Sequence, residues 1–187
     1  MKVGKINLKS GTVIVTDPCY NKGIWCSGSL DNVKKGEWNC FLKKSDESGW
    51  GIRNAEIKII HNDIKSDNVV DNDIKVERSE KLKSIEGSEE KYIFWELTDI
   101  DVGVDSGQAG IFDNSIYPNS KDERGKYGDT TKFYGKCCQK TGGGNSCGII
   151  DGGFVSSSGY GDGSYTCYVA KKDDEIVAIK IEFIGEE

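Results

Sequence analysis

Apolar residues recur at every second position in the last quarter of the chain. Val177, Ile179, Ile181 and Phe183 alternate with Ala178, Lys180 and Glu182, the period of a strand with one buried face. Just upstream, Tyr165, Cys167 and Val169 repeat the pattern, and the short polar stretch Lys171-Lys172-Asp173-Asp174 separates the two runs. Two alternating strands joined so briefly predict a β-hairpin. Further strands are expected over 5–8, 12–16, 38–42, 55–61, 92–97, 109–112 and 149–156. One helix is expected after Asp129 or Thr130, either of which can cap its first turn, with Phe133 and Cys137 on one face at i, i+4 spacing. Gly142-Gly143-Gly144 would stop it. Residues 63–90 are charged and poor in aromatics, which predicts a solvated insertion or long hairpin, with a short helix over 79–85. The sum is a mainly β fold with a minor helical part: an antiparallel β-sandwich or barrel-like pair of sheets with one or two short helices, formed by residues 1–187 as one domain.

Twenty-four glycines against two prolines add tight turns to this picture. Two of those turns resemble each other. Ser10-Gly11 is followed, six residues after its glycine, by Asp17 and then Tyr20; Ser106-Gly107 is followed at the same spacing by Asp113 and then Tyr117. A strand-like run lies inside each, so a Ser-Gly turn launches a strand that ends in aspartate. A third signature, Ser158-Gly159-Tyr160-Gly161-Asp162-Gly163-Ser164-Tyr165, leads into the final hairpin. These turns have two readings. Each aspartate braces its turn through side-chain-to-backbone bonds, or the turns converge at one end of the sheets and line a pocket. The second reading makes Asp17, Tyr20, Asp105, Ser106, Gln108, Asp113, Ser158, Tyr160, Asp162 and Tyr165 the candidate ligand-binding residues. Backbone amides in such turns form anion-holding nests, and the tyrosines would supply an aromatic rim.

Asp17-Pro18-Cys19-Tyr20, Val104-Asp105-Ser106-Gly107-Gln108 and the 158–165 signature, in that order, resemble an uncharacterised domain family of bacteria and their phages. The resemblance runs from about Gly11 to Phe183. It implies one domain of bacterial or phage type with a place in their conflict systems, and it brings no catalytic residues.

Composition narrows the partners. Hydrophobic residues make up 36% and charged residues 30%, and four Trp, eight Tyr and six Phe supply core anchors, as in a folded soluble protein. A net charge of −6 argues against a duplex nucleic-acid binder, which needs a concentrated basic footprint. No apolar run approaches the ~20 residues of a membrane span, and the first residues lack a signal-peptide core, so a cytoplasmic location without membrane contact is expected. Seven cysteines at irregular spacing then read as mostly free thiols, several buried in strands.

Catalytic motifs are scarce. His61 is the only histidine and ends an apolar run, and there is no phosphate loop, dinucleotide fingerprint or H-E-x-x-H. Cys19 has an acidic neighbour, which works against a thiolate. Cys137, Cys138 and Cys147, with Cys167, could in principle hold zinc, but adjacent cysteines fit such sites poorly. No cofactor is expected. The leading expectation is a non-catalytic binding module for a protein partner or a small polar ligand, nucleotide-derived ligands included. The alternative is a metal-assisted hydrolase using a subset of Asp17, Asp105, Asp113 and Asp162.

Overall fold

The computed structural model describes residues 1–71 and 92–185. Two antiparallel sheets face each other. The larger contains β1 (Lys2–Leu8), β4 (Gly36–Asp46), β5 (Ile52–His61), β13 (Glu175–Glu182), β12 (Gly163–Lys172) and β8 (Glu96–Val104), in that spatial order. The smaller runs β10 (Cys147–Ile150), β11 (Gly153–Ser157), β9 (Gln108–Asp113), β2 (Val13–Thr16) and β3 (Gly28–Leu30). A parallel pair, β6 (Val69–Val70) and β7 (Ile93–Phe94), forms a separate small sheet that packs on the outer face of the larger one. Two short helices complete the described chain, α1 (Lys121–Arg124) and α2 (Phe133–Thr141). The fold is therefore mainly β, with two antiparallel sheets and minor helical content.

Alternation explains the inner layer. Trp38, Cys40 and Leu42 of β4, Ile57 and Ile59 of β5, and Ile179 and Ile181 of β13 meet Val13, Val15, Ile111 and Phe154 of the smaller sheet in one buried cluster. At about 1.5–3 kcal/mol for each fully buried large aliphatic or aromatic side chain, this layer is the main stabilising feature. Cys40 and Cys167 lie in it as small hydrophobes, and all seven cysteines are free thiols.

Both outer faces are also covered, which the one-sided alternation of β13 did not predict. On the larger sheet Ala178 and Ala170 pack with Ile60 and Trp95, and Lys180 of β13 is buried as well. On the smaller sheet Ile14, Phe112 and Val155 pack under α2, with Phe133 5.1 Å from Phe112 and 4.9 Å from Tyr117 between ring centres.

Other expectations are corrected in detail. The run 149–156 is a hairpin rather than one strand: Ile150 pairs with Gly153, so Asp151-Gly152 forms a two-residue turn between β10 and β11. Helix α2 presents Phe133 and Cys137 inward and ends at Gly142 as its spacing implies, but its N-cap is Lys132, with no side-chain cap. Asp129 instead accepts from the Thr131 amide and hydroxyl just ahead of the helix. The expected helix over 79–85, and most of the charged segment, lie outside the described residues.

Candidate functional site

The two Ser-Gly repeats are two corners of the sandwich. Ser10-Gly11 takes the chain from β1 in the larger sheet to β2 in the smaller, and Ser106-Gly107 takes it from β8 to β9. Both glycines hold positive φ, +79° and +68°, where a side chain would add about 1–2 kcal/mol of strain. β1 and β8 are opposite edges of the larger sheet, whereas β2 and β9 lie side by side and antiparallel in the smaller. Each inner strand therefore ends where the other begins, and each ends in an aspartate.

The aspartates use that placement reciprocally. Asp17 follows β2 and holds the corner before β9: its Oδ2 accepts from the Asp105 amide at 3.0 Å and the Ser106 amide at 2.7 Å. Its Oδ1 accepts from the Ser106 hydroxyl at 2.6 Å and the Cys19 amide at 2.8 Å. Asp113 ends β9 and holds the corner before β2: its Oδ2 accepts from the amides of Lys9 and Ser10, its Oδ1 from the Ser115 amide at 2.8 Å. Lys9 and Ser10 thus stand to Asp113 as Asp105 and Ser106 stand to Asp17. Both carboxylates are buried, at 0% and 1% exposure, which only such amide pairing makes tolerable.

The third signature closes over the second corner. Gly107 N donates to Asp162 Oδ1 at 3.1 Å, and Ser158 N donates to the Gly107 carbonyl at 3.1 Å. The Tyr165 hydroxyl lies 3.0 Å from the Ser158 carbonyl and 2.7 Å from that of Gly161. Gln108 accepts from Thr141 Oγ1 at 3.1 Å and donates to Cys138 Sγ at 3.4 Å, tying the corner to α2. The Tyr20 carbonyl accepts from the Tyr117 hydroxyl at 2.8 Å. This corner therefore gathers Asp17, Tyr20, Asp105, Ser106, Gln108, Ser158, Asp162 and Tyr165. Asp113 belongs to the other corner, about 13 Å of extended strand away, and Tyr160 points elsewhere.

The chemistry of the second corner is that of a closed knot. Burial first, and then the neighbouring Asp17 charge, push the Cys19 thiol up to about 12, so it stays protonated at neutral pH and is a poor nucleophile. Burial and a hydrogen bond to Asp105 likewise raise the Tyr20 hydroxyl. The Asp17 oxygens are occupied by four donors. Cys137 lies on the inward face of α2, Cys167 in the inter-sheet core and Cys147 at its margin. Among the described residues no three His, Cys, Asp or Glu side chains gather into a metal-sized group.

Tyr160, the tip of the third signature, reaches the loop between β4 and β5. Its ring is 6.4 Å from that of Trp50, nearly perpendicular at 84°, and the Arg53 guanidinium lies 5.9 Å over it. Its hydroxyl donates to Glu47, and Arg53 Nε donates to the Trp50 carbonyl at 3.0 Å. Trp50 and Ile52 are each 71% exposed and Tyr160 54%. Sequence reasoning named Tyr160 and missed Trp50, Ile52 and Arg53. The signal was present in Ser48-Gly49-Trp50-Gly51-Ile52, a bulky ring between two glycines of a hairpin loop, with no core to join.

A separate charged lattice covers part of the larger sheet's outer face. The Lys180 ammonium lies 4.5 Å from the Tyr168 ring centre, 5.1 Å from that of Trp95 and 3.1 Å from Asp71 Oδ1. Glu56 and Glu182 lie at 3.8 and 3.9 Å, so its charge is balanced within the molecule.

No helix among the described residues is long and apolar enough to cross a membrane. No curated protein and no solved structure matches the chain. The model of the family described as "Protein of unknown function (DUF4241)" matches residues 6–181, nearly the whole chain and all three turn signatures, and the chain belongs to that family.

Proposed function

We propose that this chain is a non-catalytic binding module for a protein partner, which docks on Trp50, Ile52, Arg53 and Tyr160. The observation that carries this reading is the joint exposure of two large rings in edge-to-face contact, with an arginine over one of them, beside the β4–β5 hairpin tip. Tryptophan, tyrosine and arginine are the residues that most often dominate binding energy at protein interfaces. A solvated tryptophan and isoleucine contribute little to the folded chain's own stability, whereas covering them on binding is favourable. The polar corner supports a catalytic or small-ligand role less well, because its aspartate, tyrosine and serine groups already bond within the chain.

The test is capture by the immobilised chain, compared between the natural sequence and Trp50→Ala, Tyr160→Ala and Arg53→Ala. A partner retained by the natural chain should be lost from the Trp50 and Tyr160 variants, with an affinity drop of roughly tenfold or more for each. Their melting temperatures should match the parent. Retention undiminished by all three substitutions would refute the docking surface. A nucleotide or metal ion that raises the melting temperature, with no loss in these variants, would favour the polar corner instead.

A further inference from the structure

Beside the aromatic pair runs a groove of about 500 Å3, lined by Lys43, Lys44, Ser45, Glu47, Tyr160 and Ile184. A second depression of about 490 Å3 shares Lys43 and Lys44 and continues past Phe41 and Lys58 to Met1, whose ammonium is held 2.6 Å from the Leu42 carbonyl. Together they follow β4 from Phe41 to Glu47. That path is about 20 Å long, the span of six residues of extended chain.

The path is basic on an acidic protein. Its carboxylates are engaged within the molecule: Glu47 accepts from the Tyr160 hydroxyl, and Glu56 is 3.1 Å from Lys58 Nζ and 3.8 Å from Lys180 Nζ. The Lys44 ammonium and the terminal guanidinium nitrogens of Arg53 have no carboxylate partner among the described residues. Among the described residues, the Lys44 and Arg53 charges are therefore left for a ligand where the groove meets the rings. Single-stranded nucleic acid also seeks cations and rings, but it stacks successive bases on parallel ring faces. Trp50 and Tyr160 instead meet edge to face, 6.4 Å apart at 84°, and offer no parallel pair of platforms; an apolar side chain can pack against their outer faces.

We infer that the partner enters this groove as an extended acidic peptide segment, one apolar side chain against Trp50 and Tyr160 and carboxylates toward Lys44 and Arg53. The inference rests on the reading of Trp50 and Tyr160 as a docking surface and adds the chemistry of what docks. Opposite charge along the path would steer encounter and fix the register of the segment.

The experiment measures fluorescence anisotropy of labelled hexapeptides on the full chain. One alternates glutamate with leucine and phenylalanine; the others replace glutamate with lysine or with serine, and labelled hexathymidylate is the nucleic-acid arm. The acidic peptide should bind saturably, roughly tenfold or more tightly than the lysine peptide, and weaken several-fold between low and high salt. Lys44→Glu combined with Arg53→Glu should reverse the preference, and the milder Lys44→Ala should weaken acidic binding without affecting the melting temperature. Equal binding of acidic and lysine peptides, tighter binding of hexathymidylate, or no acidic binding up to roughly 1 mM would each overturn it. Partner capture that still depends on Trp50 and Tyr160, alongside such a peptide result, would remove this inference and leave the docking surface standing.

Discussion

Asp17 and Asp113 are buried carboxylates that sit six residues beyond a positive-φ glycine. The strand within that span covers at least about 13 Å, which carries each aspartate along one inner strand to the corner where its antiparallel neighbour starts. Removing the Asp17 carboxylate leaves amides and a hydroxyl of the second corner without their acceptor. Asp17→Ala should therefore cost about 3 kcal/mol, read as a lower urea midpoint at unchanged slope. Asp113 adds a pH signature. Burial alone would raise its carboxyl, but hydrogen bonds from Ser115, Ser10 and Lys9 prevail and lower it to about 2. A depressed folded value means stability that is present above the unfolded value of about 3.9 and lost as pH falls toward 2, on the order of 2 kcal/mol. Asp113→Asn should be less stable than the parent at neutral pH and show a flatter loss between pH 5 and 2 in chemical denaturation. The thiol of Cys19, held up to about 12, should react with iodoacetamide at pH 7.5 more slowly than an unperturbed thiol.

Among the elements, the hairpin of β12 and β13 was the most legible, because alternation states both strands and the polar gap states the turn. Lys172 pairs with Glu175, leaving Asp173 and Asp174 as the two loop residues, with φ of +52° and +65°. Two positive φ values are those of the turn that matches strand twist, and glycine suits its second position better than aspartate. Asp174→Gly should stabilise the chain by up to about 1 kcal/mol, seen as a raised melting temperature. Other elements were harder to read for physical reasons. The apolar residues of 149–156 run on across Asp151-Gly152, and periodicity alone does not distinguish one strand from two joined by a two-residue turn. Strand β3, three residues long, is too short to show a period and exists because β2 pairs with it. The Ser-Gly spacing was visible in the sequence, but its meaning was not. Reciprocal bracing depends on β2 and β9 being neighbours, a pairing across nearly a hundred residues that no local pattern encodes.

At the scale of the molecule, the corners and the proposed docking surface divide the labour. The corners join two sheets whose inner faces meet in one hydrophobic cluster, and their polar groups are consumed in doing so. The proposal assigns function to what the scaffold displays, because loops on a rigid sandwich are where binding residues concentrate. Trp25, 88% exposed, and Tyr127, 79% exposed, have no ring partner among the described residues, whereas Trp50 and Tyr160 stand together beside a groove. That contrast provides an internal control. A photo-crosslinking residue placed in the living cell at position 50 or 160, and at 25 or 127 for comparison, tests the central claim most directly. The docking surface predicts one discrete cross-linked protein from positions 50 and 160 and none from 25 and 127. The same products from all four positions, or none from 50 and 160 while another position yields one, would contradict it.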